Sequence, residues 1–199
     1  MTEGLFILRA VVGLVLFAHG AQKLFGWWGG HGLEGTGGFF EQVGHRPGRQ
    51  MAALAGASEA GGGLLLFLGL LTPFACAAII GVMVVASVSV HGDNGLWATN
   101  GGYELPMTFG VVATALAFTG PGRFSVDNGL GLHLDGFVWG LVAIVLGCVG
   151  AAVQLSRRKK VLAESTTDAY PADRDTAGDP ANANANANTD AEPEQSVTA

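Results

Sequence analysis

The chain has 199 residues, 49% hydrophobic and 13% charged, with a mean hydropathy of +0.40. That is the size of one domain and too apolar for a soluble helical protein. The net charge of −6 belongs to one end: up to Lys160 there are nine basic and eight acidic residues, and beyond it one basic residue (Arg174) and eight acidic ones. The acidity therefore says nothing about a partner for the body. With no basic stripe or recognised motif, the sequence argues for no nucleic-acid partner. Cys76 and Cys148 lie in apolar runs without a CxxC spacing; they read as small buried hydrophobes rather than a disulfide framework. The leading MTEG lacks Lys and Arg, and polar residues follow the first apolar run, so that run reads as a retained anchor and not a cleaved signal.

A bilayer-spanning helix needs about 20 mainly apolar residues. Leu5 to Phe25 meets that length, interrupted by Arg9, His19, Gln22 and Lys23. Trp27 to Gln50 is glycine-rich and loop-like; its Trp27-Trp28 pair suits the membrane–water boundary, and Phe39, Phe40 and Val43 fit a short interfacial helix. Met51 to Leu71 is the second predicted span, containing Ser58, Glu59 and the run Gly61-Gly62-Gly63, which reads as a packing surface. Thr72-Pro73 ends it and starts the third, Phe74 to Val90, making a helical hairpin. His91 to Gly95 is a turn, and Trp97 and Tyr103 form a second aromatic set. Leu105 to Thr119 is a short fourth span stopped by Gly120-Pro121-Gly122. Gly136 to Leu155 is a last apolar run, with small-residue spacings at Gly136/Gly140 and Gly147/Ala151, closed by Arg157-Arg158-Lys159-Lys160. The remainder is Asp, Ala, Pro, Asn and Thr with an alternating Ala-Asn tract, a composition that cannot offset its ordering entropy.

The expected fold is thus all-α: an integral membrane bundle in contact with the lipid bilayer. Residues 1–130 make a four-helix core, 131–160 add a further span, and 161–199 form a disordered acidic tail. With five spans, the loop holding Lys23, Arg46 and Arg49 lies on the same side as the terminal basic cluster. The positive-inside rule makes that side cytoplasmic and puts the N-terminus outside.

Alternating the spans brings five internal polar residues into one leaflet: His19 and, one turn on, Lys23; Glu59 in the second span; His91 at the end of the third; Glu104 at the start of the fourth. Arg9, Arg123 and Asp127 fall on the opposite side. Charges at membrane depth are expensive and tend to be paired or functional. A Lys23–Glu59 or Lys23–Glu104 pair would neutralise them. Two readings stand side by side: pairs that fix helix register, and a polar pocket for an ion, proton, quinone or partner. A b-type haem would want histidines facing one another across helices; His19 and His91 could do so in principle, but they differ in depth and are one pair only, which tells against this reading. No zinc spacing is present, and no metal is expected. His31, His45 and His133 read as solvated or interfacial loop residues.

The stretches HGAQKLFGWWGGHGLEGTGGFF (His19 to Phe40), EAGGGLLLFLGLLTP (Glu59 to Pro73), GGYELP (Gly101 to Pro106) and GPGRFSVD (Gly120 to Asp127) resemble the DoxX family of small bacterial membrane proteins. The resemblance covers about residues 5–130 of the sequence. It implies a four-helix membrane core in the bacterial plasma membrane. It also implies association with quinol-oxidase, thiosulfate:quinone or thiol-redox assemblies, and it assigns no catalytic role to the motif residues. On this basis the first functional expectation is a non-catalytic subunit or anchor of a quinone- or thiol-linked redox assembly, with redox proteins as partners. The second is a quinone-binding oxidoreductase component in which His19, Lys23 and Glu59 handle protons. The third, a small-solute transporter or channel, lacks the duplicated halves such proteins commonly carry. No cofactor motif is present, and quinone is the one candidate cofactor. Oligomeric state has no signature in the sequence.

Overall fold

The computed structural model describes residues 2–169. Of these, residues 2–162 form one compact unit, and residues 163–169 fall outside it. The helices are α1 (Thr2–Phe25), α2 (Gly32–Gln42), α3 (Gly48–Leu68), α4 (Thr72–Ser89), α5 (Glu104–Thr119), the single turn α6 (Val126–Gly129) and α7 (Phe137–Ala169). Among the described residues there is no strand, and four helices are long and apolar enough to cross a membrane: α1, α3, α4 and α7. The chain is a helical membrane protein.

The short fourth span is α5, whose 16 residues give about 24 Å at 1.5 Å per residue, below a bilayer's apolar thickness of about 30 Å. It nevertheless runs the length of the bundle. Phe109 near its start faces His19 at 6.5 Å between ring centroids, and Pro121 just past its end accepts a hydrogen bond from Arg9 Nε at 3.0 Å. Ala113, Leu116 and Ala117 of α5 meet Val12 and Leu16 of α1, Leu66 of α3, Ala143 of α7 and the α4 residues Ala75, Cys76, Ile79, Ile80 and Met83 in one core.

Close backbone approach holds α1 on α3. A Cβ on Gly13 would sit 2.6 Å from the Gly63 carbonyl oxygen, and one on Gly63 2.5 Å from the Gly13 carbonyl oxygen. Two turns further along, Gly20 stands against Gly56 and Ala60. The three consecutive glycines of α3 divide their labour: Gly61 faces outward, Gly62 meets Ile79 of α4, and Gly63 meets α1. On α7, Gly140 lies under the Phe118 ring and Gly147 against Ala77 and Ile80 of α4.

Several boundaries differ from expectation for identifiable reasons. α3 stops at Leu68 because Gly69 takes a left-handed conformation (φ 64°), with Leu70 N donating to Leu65 O at 2.9 Å; this is a Schellman-type stop that precedes the Thr72-Pro73 signal. Its start moves back to Gly48, whose N–H donates to Glu41 Oε1 at 3.0 Å. The interfacial helix expected around Phe39 runs from Gly32 to Gln42 despite four glycines. One of these, Gly37, lets α2 lie against Gly48 and Arg49. α7 continues past the basic cluster to Ala169. The Ala-Asn tract and the rest of the expected tail beyond Ala169 lie outside the described residues. Cys76 is buried, but Cys148 is exposed on α7, because its turn of the helix faces away from the core.

Candidate functional site

The two ends of the bundle treat their polar residues differently. At one end, Arg9 is 1% exposed and donates to the last-turn carbonyls of α3, Leu66 and Phe67, and to Pro121. Asp127, also 1% exposed, accepts from Leu71 N (2.8 Å), Thr72 N (3.0 Å) and Thr72 Oγ1 (2.8 Å). A cation thus caps the C-terminus of α3 and an anion the N-terminus of α4, which the helix dipoles favour. The two charges also interact with each other. This end is saturated by backbone groups. Arg123 is exposed, and its carbonyl accepts from Asn128 Nδ2 at 3.2 Å.

The opposite end holds an open cavity of about 850 Å³. α1 supplies His19, Gln22 and Lys23; α3 supplies Ser58 and Glu59; α4 runs Ala77 to Val90 along it; α5 supplies Leu105, Pro106 and Phe109; α7 supplies Leu146 to Gln154. The α1–α2 connection and α2 cover it with His31, Phe39 and Phe40. The walls are mainly apolar. On one side Lys23 Nζ donates to Glu59 Oε2 at 2.5 Å, with the lysine side chain 27% and the glutamate 5% exposed. Gly20 and Gly56, three residues before each partner, are the close-packed pair that sets this register. His19 lies one turn deeper, exposed to the cavity.

Four of the five residues expected in this leaflet therefore line one cavity: His19, Lys23, Glu59 and His91. His91 is also committed to the loop, its Nδ1 2.6 Å from the Gly101 carbonyl oxygen. Glu104 does not join them. Its Oε2 accepts from Ala98 N at 2.9 Å, because the short turn Ala98–Asn100 needs an acceptor for its first N–H. The Lys23–Glu104 alternative is replaced by Lys23–Glu59. Among the described residues no group of three His, Cys, Asp or Glu is placed to hold a metal ion.

Two cavity residues escaped the sequence reading. His45 is 6% exposed, not solvated: its Nε2 lies 3.0 Å from Ser89 Oγ, tying the α2–α3 loop to the end of α4. Arg158 of α7 reaches the same loop, Nε donating to Val43 O at 2.7 Å. The other is Gln154, whose Oε1 is buried without a hydrogen-bond partner.

Burial, and secondarily the charge of Arg158, push the His45 imidazole below its ordinary value of 6.5. The unfolded chain then binds this proton more readily than the folded one. The associated stability is complete above about pH 6.5 and is lost as pH falls through the depressed folded value. Thermal melts of the detergent-solubilised protein are expected to drop on acidification below pH 6.5, with a shallower slope in His45→Asn. Equal slopes in both proteins would refute the assignment.

A family model described as DoxX matches residues 4–92, the stretch from α1 to His91 that carries the Lys23–Glu59 pair, His19, His45 and Ser89. The chain is 34% identical over 64 residues to a protein of Haemophilus influenzae described as uncharacterized. That match covers 32% of this chain and 42% of the relative, so the chain spans less than half the length of the relative it matches. No solved structure matches. The DoxX match and the apolar helical bundle agree: residues 4–92 of this chain are similar to the DoxX family, and its apolar helices are those of a membrane protein.

Proposed function

We propose that this protein is the membrane-embedded subunit of a redox assembly and that its cavity holds a quinone-class molecule for that assembly. The observation that carries the reading is the cavity itself, with apolar walls at membrane depth and a charged, hydrogen-bonding floor. Binding pockets for small molecules combine these two features. An isoprenoid-type tail suits the walls. A headgroup carbonyl suits the Lys23 ammonium, which its bond to Glu59 orients, with His19 a turn away. The saturated Arg9–Asp127 end is the structural counterpart, and the contrast favours binding over registry for Lys23–Glu59. Soluble redox proteins would dock at the surface formed by the first loop and the basic cluster of α7 that ends at Lys160. The location that fits is the bacterial plasma membrane, with Arg46, Arg49 and the cluster ending at Lys160 cytoplasmic and the N-terminus outside.

Titration of the purified protein with a short-chain benzoquinone tests this. Saturable binding is expected, weakened about tenfold or more in Lys23→Met, the range for losing a charge-assisted hydrogen bond. Because that variant strands a buried carboxylate, Lys23→Met/Glu59→Leu, which removes both charges, is the folded control and is expected to bind equally weakly. Wild-type protein that shows no saturable binding would end the proposal.

A further inference from the structure

The cavity has a second polar pole, on the face of α7. Gly147, Gly150, Gln154 and Arg158 recur at helical spacing along one stripe of that helix. At Gly147 the helix touches α4: a Cβ there would sit 2.8 Å from the Ala77 carbonyl oxygen. At Arg158 it touches the α2–α3 loop through the bond to Val43 O. Between these two contacts Ala151 stays packed at 2% exposure, but the flank of the helix at Gly150 stands open. A Cβ on Gly150 would meet nothing within 4 Å, and Gly150 is at once exposed and part of the cavity lining. Leu146 on α7 and Leu54 on α3 share that double character, lining the cavity while remaining 49% and 48% exposed. These residues frame a lateral opening of the cavity, on an apolar flank that lipid would cover. Inside it, the Gln154 amide is left with a buried oxygen that bonds to nothing. Buried polar atoms without partners are uncommon and call for an explanation. A ligand that fills the opening supplies one.

We propose that the quinone-class molecule of the preceding section enters from the bilayer through this opening beside α7, and that Gln154 Oε1 accepts a hydrogen bond from the hydroxyl of its reduced, quinol headgroup. Gly150 leaves the room for it to pass. The inference rests on the proposed function for the ligand's class, and on the orphaned amide and the open gap for the route. An amphipathic molecule dissolved in the membrane reaches the Lys23–Glu59 pole by this path without its tail crossing the aqueous loops. Arg158, latched onto Val43, fixes one rim of the opening, and the Gly147 contact fixes the other.

Proteoliposomes of phosphatidylethanolamine and phosphatidylglycerol, labelled with a photoreactive short-chain benzoquinone, provide the test. Labelling of wild-type protein, competed by unlabelled benzoquinone, establishes that the cavity binds; its absence defeats the functional reading. Given labelling, Gln154→Leu is expected to weaken competition by the corresponding hydroquinone roughly tenfold, the ordinary worth of one hydrogen bond, and to leave competition by the benzoquinone, which has no O–H to donate, nearly unchanged. Gly150→Phe is expected to slow labelling by tenfold or more. Melting temperature supplies a readout independent of any ligand. Removing an unsatisfied buried amide is expected to raise the ligand-free melting temperature of Gln154→Leu by about 2–4 °C. A fall there would mean that Gln154 is a structural group. Unchanged labelling in Gly150→Phe and unchanged hydroquinone competition in Gln154→Leu, with competed labelling of the wild type, would overturn the proposal while leaving the functional reading intact.

Discussion

Asp127→Ala is expected to be among the most destabilising single substitutions in this protein, by about 3–5 kcal/mol, the range for removing one partner of a buried charge pair. The carboxylate accepts three hydrogen bonds at the start of α4. Its removal orphans the Leu71 and Thr72 N–H groups and the Thr72 hydroxyl, and leaves Arg9 buried without the charge it faces. Leu71 makes the position more sensitive still. It is a non-glycine residue at φ 48°, a conformation that costs about 1–2 kcal/mol and persists only when its surroundings hold it there. Here the hold is the Leu71 N–H bond to Asp127. Thermal melts in mild detergent should fall by roughly 10 °C or more. Asp127→Asn retains a carbonyl acceptor and should lose less. In an Arg9→Met background the Asp127→Ala effect should shrink, since the stranded charge is gone. An Asp127→Ala protein that melts within about 2 °C of wild type would show that the α3–α4 turn is held by something else.

The polar half of the site was legible because membrane depth makes each charge conspicuous. Lys23 and Glu59 interrupt apolar runs, and alternation of the spans brings them to one end. What alternation cannot give is which acceptor a group chooses within that end. Glu104 has the right depth, but it is consumed by the N–H of Ala98 six residues before it. That choice depends on a short turn without a marked sequence signature. His45 was read as solvated because it sits in a glycine-rich loop, whereas its burial depends on Ser89, 44 positions on. Such folding-back is tertiary information. Gln154 did carry a signal: it is the one amide or charged side chain between Gly136 and Leu155. Its importance emerges only with the open space beside Gly150. The four-plus-one helical order was readable from apolar length and from Gly and Pro punctuation. The stop of α3 at Gly69 was missed because a left-handed glycine ends a helix four residues before the proline that attracts notice.

The run Gly61-Gly62-Gly63 offers a test in which three neighbouring positions should respond in different ways. A side chain at Gly61 meets open space, so Gly61→Ala is expected to stabilise α3 by about 0.5–1 kcal/mol through reduced backbone entropy alone. At Gly62 an added Cβ approaches Ile79 Cγ1 at 3.2 Å, a contact that a small rotation can relieve, so Gly62→Ala should be near neutral to mildly destabilising. At Gly63 it would meet backbone atoms, Gly13 O at 2.5 Å and Phe17 N at 2.6 Å. Neither can move without shifting α1, so Gly63→Ala should cost about 1–3 kcal/mol as an overpacked interface, and Gly63→Leu more. The consequence extends to the cavity, because the same α1–α3 seam continues through Gly20 and Gly56 to Lys23 and Glu59. Gly63→Leu, by prising the helices apart, should weaken benzoquinone binding as well as stability. Gly61→Leu, equally bulky and two residues away, should leave binding unchanged. Equal melting temperatures and equal binding in these two leucine variants would sever the proposed link between glycine packing and the placement of the ion pair. The expected divergence would show that the glycines position the charges: backbone contact along α1 and α3 brings Lys23 to Glu59 at the floor of the cavity.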